Sequence, residues 1–220
     1  MFLTGNERRK TGKEINKSEG NEKMTNFIPP TFLEMGIRKV ERELFKFKAF
    51  MDEIGEEFFL VAGLCLGLVR DGKLIEYDKD FDIGVMNESS LYKIVEEAKL
   101  RRYYEIAHVT ECEKGKICWL KKKIGDFLLP IEIIAHYRKD DYVYYNRDLG
   151  PTWRYREGRV VYDKRFFDVF EKISFKGVKF NIPSPVEEYL TAFYGDDWRE
   201  PRKYADWRYN CKNLFEGWWL

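Results

Sequence analysis

Apolar residues at Leu33, Ile37, Val40, Leu44, Phe47, Met51 and Ile54 alternate in steps of four and three. That spacing lines one face of a helix, with Thr31 placed as its N-cap and Gly55 as its C-terminal stop. The apolar run 58–62 reads as a buried strand. A short helix follows at 64–69, stopping near Asp71-Gly72, and a second strand at 80–86. Ser89 or Ser90 is placed to cap a helix carrying Leu91, Ile94, Val95 and Ala98. Residues 104–109, 116–120 and 127–135 read as strands. The aromatic stretch 142–155 is broken by Gly and Pro and reads as a loop with ragged strand pieces. Residues 172–182 have a hairpin pattern with Lys176-Gly177 at the turn, and a helix at 186–193 ends at Gly195. Helical and extended segments interleave, so the expected class is α/β (α+β). Residues 28–220 form one domain in this reading. Residues 1–27, rich in Lys, Glu, Asn and Gly, form a disordered tail, with Met24 as an alternative start.

Composition narrows the function classes. The 39 Lys and Arg nearly balance 38 Asp and Glu, leaving a net charge of +1. No overall field gathers a polyanion, which argues against a dedicated nucleic-acid binder. A local cluster such as Lys121-Lys122-Lys123 still suits one phosphorylated ligand. Four scattered cysteines are too few for a disulfide scaffold and fit a reducing compartment. No apolar run approaches the roughly 20 residues of a membrane span. A cytoplasmic location is the expectation, and peripheral membrane association stays compatible with it.

The candidate chemistry lies between residues 58 and 85. An apolar strand ends in Gly63, a Gly-punctuated segment ends in Arg70, and Asp78, Asp80 and Asp82 then alternate with Lys79 and Phe81. In an extended chain Asp80 and Asp82 share a face about 7 Å apart. Two carboxylates held together resist joint ionisation, and a divalent cation relieves that conflict. A solvated Asp-rich turn gives the same local pattern, so the preceding Gly63 segment matters. Glu132 lies inside the apolar run 129–134, where a charge needs a partner. A metal ligand and a solvated edge strand both account for it. Arg70 suits either a phosphate or a salt bridge with Asp71 or Asp78. Tyr142, Tyr144, Tyr145, Trp153 and Tyr155 offer rings for a sugar face or a quaternary ammonium, or belong in part to the core. His136 reads as the end of a strand.

The order strand, glycine, short helix, then a strand with Asp-x-Asp resembles the nucleotidyltransferase fold of the DNA polymerase beta type. Gly63-Leu64-Cys65-Leu66-Gly67-Leu68-Val69-Arg70, followed by Ile75-Glu76-Tyr77-Asp78-Lys79-Asp80-Phe81-Asp82-Ile83-Gly84, resembles the LicD/fukutin family, closest to its fukutin branch. A second block, Phe180-Asn181-Ile182-Pro183, Glu188-Tyr189-Leu190 and Tyr194-Gly195-Asp196-Asp197-Trp198 with Pro201, is similar to the family's C-terminal pattern. Leu64 stands where the family usually has Thr, Glu76 where it has Pro, Tyr77 where it has Trp, and Glu132 where it has Asp.

The resemblance implies a metal-dependent transferase. It would move a phosphorylated alcohol of the phosphocholine or ribitol phosphate type from a CDP-linked alcohol donor to a sugar hydroxyl of a glycan acceptor, releasing CMP. Asp80, Asp82 and Glu132 would be the catalytic carboxylates and the ligands of Mg²⁺ or Mn²⁺. Gly63, Gly67, Arg70, Asp78, Tyr145 and Trp153 would contact substrate. Two alternatives remain open on sequence: nucleoside monophosphate transfer with release of pyrophosphate, and a non-catalytic binding protein on the same scaffold.

Overall fold

The computed structural model describes residues 29–112, 115–148, 157–202 and 211–216. The expected tail at 1–27 lies outside them. The first described elements are two helices, α1 (Phe32–Met35) and α2 (Ile37–Glu53), where the apolar spacing predicts one. Gly36 separates them at φ +86°, a conformation that favours glycine. Leu33, expected on the buried face, is therefore 62% exposed, while Val40, Leu44, Phe47 and Met51 are buried. Thr31 caps α1 as expected, in a reciprocal capping box with Glu34.

A short strand β1 (Phe59–Leu60) leads directly into α3 (Ala62–Asp71), and β2 (Phe81–Val85) follows. Helix α4 (Glu88–Arg101) is capped by Asn87, whose side chain accepts from the Ser90 N–H, not by a serine. Then come β3 (Glu105–Cys112), β4 (Gly115–Ile124) and β5 (Phe127–Ala135). Further on, β9 (Glu171–Phe175) and β10 (Val178–Ile182) form the expected hairpin, and α5 (Val186–Tyr194) ends at Gly195. β1–β5, β9 and β10 build one mixed sheet in the order β3-β4-β5-β2-β1-β10-β9. β2 runs parallel to β5, and β1 parallel to β10.

The stretch 142–155 departs from expectation. Its first half is a regular strand, and a second antiparallel sheet forms from β6 (Tyr137–Lys139), β7 (Tyr142–Asp148), β8 (Glu157–Asp163) and β11 (Leu214–Glu216), in the order β11-β8-β7-β6. The chain passes from β5 of the first sheet to β6 of the second through His136 alone, whose N–H donates to Val85 O.

Candidate active site

The carboxylates of Asp80, Asp82 and Glu132 converge: one oxygen from each lies within 4.8 Å of the others. Backbone register accounts for two of them. Asp82 on β2 is the direct partner of Glu132 on parallel β5, so both side chains leave the same face of the sheet. Asp80 sits one residue before β2, so it reaches the cluster from the loop and not from within the strand as expected. The loop is fastened by α1: the Phe32 N–H donates to Asp78 O at 2.8 Å and the Leu33 N–H to Glu76 O at 2.9 Å.

Helix α3 starts beside the cluster. Ala62 takes φ +42°, a left-handed conformation uncommon for a residue with a side chain. It turns the chain so that the Gly63 N–H donates to Asp82 Oδ2 at 3.2 Å. A Cβ at Gly63 would lie 2.0 Å from Asp78 Oδ2. Glycine here gives Asp78 its place, and this is the physical content of the Gly63 signal.

The electrostatics are strained toward a cation. Burial, then the neighbouring charges of Asp78 and Glu132, pushes the Asp80 carboxyl up to about 7. Burial, then Asp80, raises Asp82 well above the usual carboxylate range. Burial pushes Asp78 up to about 6, against the lowering effect of the Lys79 N–H. Glu132 is 1% exposed and accepts from Arg147 Nη1 at 3.0 Å. Burial works against the Arg147 cation, but the charge of Glu132 outweighs it and keeps the guanidinium protonated. The three converging oxygens are hard ligands, the donor set that Mg²⁺ or Mn²⁺ prefers, so the residues present fit such an ion.

Asp78, Asp80, Asp82 and Arg147 line a cleft of about 310 Å³ walled by Gly63, Arg70, Tyr77, Phe193, Tyr194 and Trp198, among others, with Glu132 buried behind them. Arg70 reaches it while bonded to Asp71, Nε to Oδ1 at 3.0 Å and Nη2 to Oδ2 at 2.7 Å, which is the salt bridge anticipated from sequence.

Several expectations are corrected. Glu132 is not on an edge, because β5 lies between β4 and β2. Gly67 does not line the cleft: a Cβ there would meet Lys73 O at 2.8 Å and Ile75 Cγ1 at 2.9 Å, so this glycine lets the 73–75 loop close over α3. Tyr145 is not a substrate platform. It is 3% exposed and packs on His136 and Tyr162, with ring centroids 5.0 and 6.4 Å away. Trp153 lies outside the described residues. Arg147 was not anticipated at all. The one signal for it was the need of a buried glutamate for a cation. Tyr194 and Trp198 belong to the family-like C-terminal block, and Phe193 to the helix before it; the sequence assigns none of them a role, and all three line the cleft.

Residues 55–185 match the family model described as LicD/FKTN/FKRP, nucleotidyltransferase domain. Ribitol-5-phosphate transferase FKTN of Macaca fascicularis is 25% identical over 189 residues, covering 82% of this chain and 38% of that protein. The human and mouse proteins of the same name are 24% and 26% identical over the same extent. The chain thus spans about two fifths of the length of these relatives. A solved Thermotoga maritima chain, provisionally described as a nucleotidyltransferase, overlaps 69% of this chain and 81% of its own with TM-score 0.43 and 17% identity. With three fifths of its length matched, around the very strands that carry the carboxylates, this chain belongs to the LicD/FKTN/FKRP family of nucleotidyltransferase domains.

Proposed function

We propose that this chain is a metal-dependent transferase that moves a phosphorylated alcohol, ribitol phosphate foremost, from a CDP-linked donor to a sugar hydroxyl and releases CMP. One observation carries the reading: three carboxylate oxygens within 4.8 Å of one another at the side of a walled cleft. Ribitol phosphate is favoured over phosphocholine because the relatives that match are ribitol-5-phosphate transferases.

The roles follow from position. Asp80 and Asp82 would hold Mg²⁺ or Mn²⁺, which when bound neutralises charge on the donor diphosphate. The start of α3 borders the same cleft, so the positive end of its dipole favours a phosphate there. Arg70 adds a cation on that wall. Glu132, kept in place by Arg147, stands where it would complete the ligand set or accept the proton of the incoming hydroxyl. Tyr194, backed by the buried rings of Phe193 and Trp198, makes one wall of the cleft apolar.

The test is product analysis. The protein is incubated with Mg²⁺ and a panel of CDP-alcohols, CDP-ribitol included, and a glycan acceptor. Metal-dependent CMP release supports the reading. Pyrophosphate release from a nucleoside triphosphate would point to nucleotidyl transfer instead. Metal binding with neither product would leave a binding protein.

A further inference from the structure

The second sheet sends one charged side chain into the carboxylate cluster of the first. Arg147 lies on β7, opposite Gly158 of β8, and crosses to Glu132 on β5. Its Nη1 donates to Glu132 Oε2 at 3.0 Å, and the Glu132 side chain is almost fully buried. The guanidinium therefore occupies one of the two oxygens with which Glu132 would otherwise chelate. Charge points the same way. A second divalent ion against Glu132 would stand beside the Arg147 guanidinium, and like charges repel strongly where the Glu132 side chain is almost fully buried.

We infer that Arg147 takes the place of a second divalent ion against Glu132, so that the cluster without donor holds one ion, on Asp80 and Asp82. This inference rests on the metal reading of the cluster proposed above. In this arrangement a second ion would arrive only with the donor, whose diphosphate brings its own negative charge. Arg147 is then a positioning residue: it fixes the Glu132 carboxylate through a charge-assisted hydrogen bond at Oε2.

The experiment counts ions. Mn²⁺ is titrated into the purified chain without donor, and bound Mn²⁺ per chain is read from the loss of the free-ion electron paramagnetic resonance signal. One ion per wild-type chain, two per Arg147→Gln chain and one per Arg147→Lys chain are expected, since lysine keeps the charge. A variant too unstable to purify metal-free is purified in Mn²⁺, desalted and assayed for metal per chain, with the same expectation of two. An Arg147→Gln chain that holds one ion overturns the inference and leaves the metal reading standing. A wild-type chain that binds no ion overturns the metal reading itself, and the inference falls with it.

Discussion

Asp82 and Glu132 face each other across the parallel β2–β5 ladder, two carboxylates on one face with no residue offset between them. Both are buried, and Asp80 joins them from the loop. Such an arrangement is unfavourable without a cation. Asp80→Asn and Asp82→Asn are each expected to remove nearly all turnover. In metal-free buffer near pH 7.5 each should melt at the wild-type temperature or above it, since a neutral amide relieves both repulsion and the cost of burying charge. Near wild-type turnover at saturating Mg²⁺ in either variant would refute the ligand assignment.

Glu132 differs from the aspartates in having Arg147 as a partner. Glu132→Gln is expected to abolish turnover and to weaken Mn²⁺ binding. It should also lower stability by ~1–3 kcal/mol, less than for an isolated buried pair because Asp80 and Asp82 still face the cation. Glu132→Asp, the residue the family usually shows, should keep part of the activity. A fully active Glu132→Gln chain would remove Glu132 from the chemistry.

Gly63 tests the geometry from the other side of the cleft. An alanine there would place its Cβ 2.0 Å from Asp78 Oδ2, and Asp78 is a side chain that can swing away. Gly63→Ala should therefore fold, with a melting temperature within a few degrees of wild type, but kcat/KM should drop at least tenfold, about 1.4 kcal/mol of lost transition-state stabilisation. Wild-type kinetics in this variant would show that the position of Asp78 is irrelevant to the reaction.

How far the site was readable depends on where each partner sits in the chain. Asp80 and Asp82 announce themselves within three residues, and Glu132 is conspicuous as a charge in an apolar strand. The hairpin at Lys176-Gly177 and the bounds of β5 are equally local features. Arg147 is not local: it lies on a different sheet, and only the crossover at His136 brings it back to Glu132. β7 reads from sequence only as a ragged strand piece because its alternation is broken. Tyr145 and the neighbouring Asn146 are both buried, the latter accepting from buried Arg159 at 2.9 Å, so polar residues inhabit the inside of this sheet. The split between α1 and α2 was hidden for a similar reason, since the apolar spacing continues across Gly36 although the helix does not.

Tyr145 shows the consequence for function. As a ring packed on His136 and Tyr162 it belongs to the core beneath the second sheet. Tyr145→Ala is expected to cost ~3–5 kcal/mol of stability. That corresponds to a melting temperature lower by roughly 10 °C in a chain of this size. Any variant that remains folded should show an unchanged KM for both substrates. A raised KM with unchanged melting would restore the ring to the substrate site.

His136 provides a pH-dependent test of the junction between the two sheets. Its ring lies among Phe59, Tyr145 and Phe167, with centroids at 5.1, 5.0 and 5.5 Å. Nδ1 is 3.0 Å from Ile134 O, and because a carbonyl can only accept, Nδ1 carries the proton. Nε2 is buried with no hydrogen-bond partner among the described residues. Charging the ring would place a cation among aromatic side chains, and burial accordingly pushes its pKa down from 6.5 to about 4. Between those values the unfolded chain binds the proton and the folded chain does not, so this residue's contribution to stability is intact above pH 6.5 and is lost as the pH falls toward 4. The slope approaches 1.4 kcal/mol per pH unit within that window. Asp78 and Asp80 act in the opposite sense, because their raised values make the folded chain bind protons more readily than the unfolded one. The two effects separate by comparison with His136→Phe, which fills the same space without a titrating group. Melting of both proteins is followed from pH 7 to pH 4.5. The wild type should lose stability relative to the variant by an amount that grows steadily below pH 6.5. Parallel curves over that range would mean that His136 takes up its proton in the folded protein as readily as in the unfolded chain.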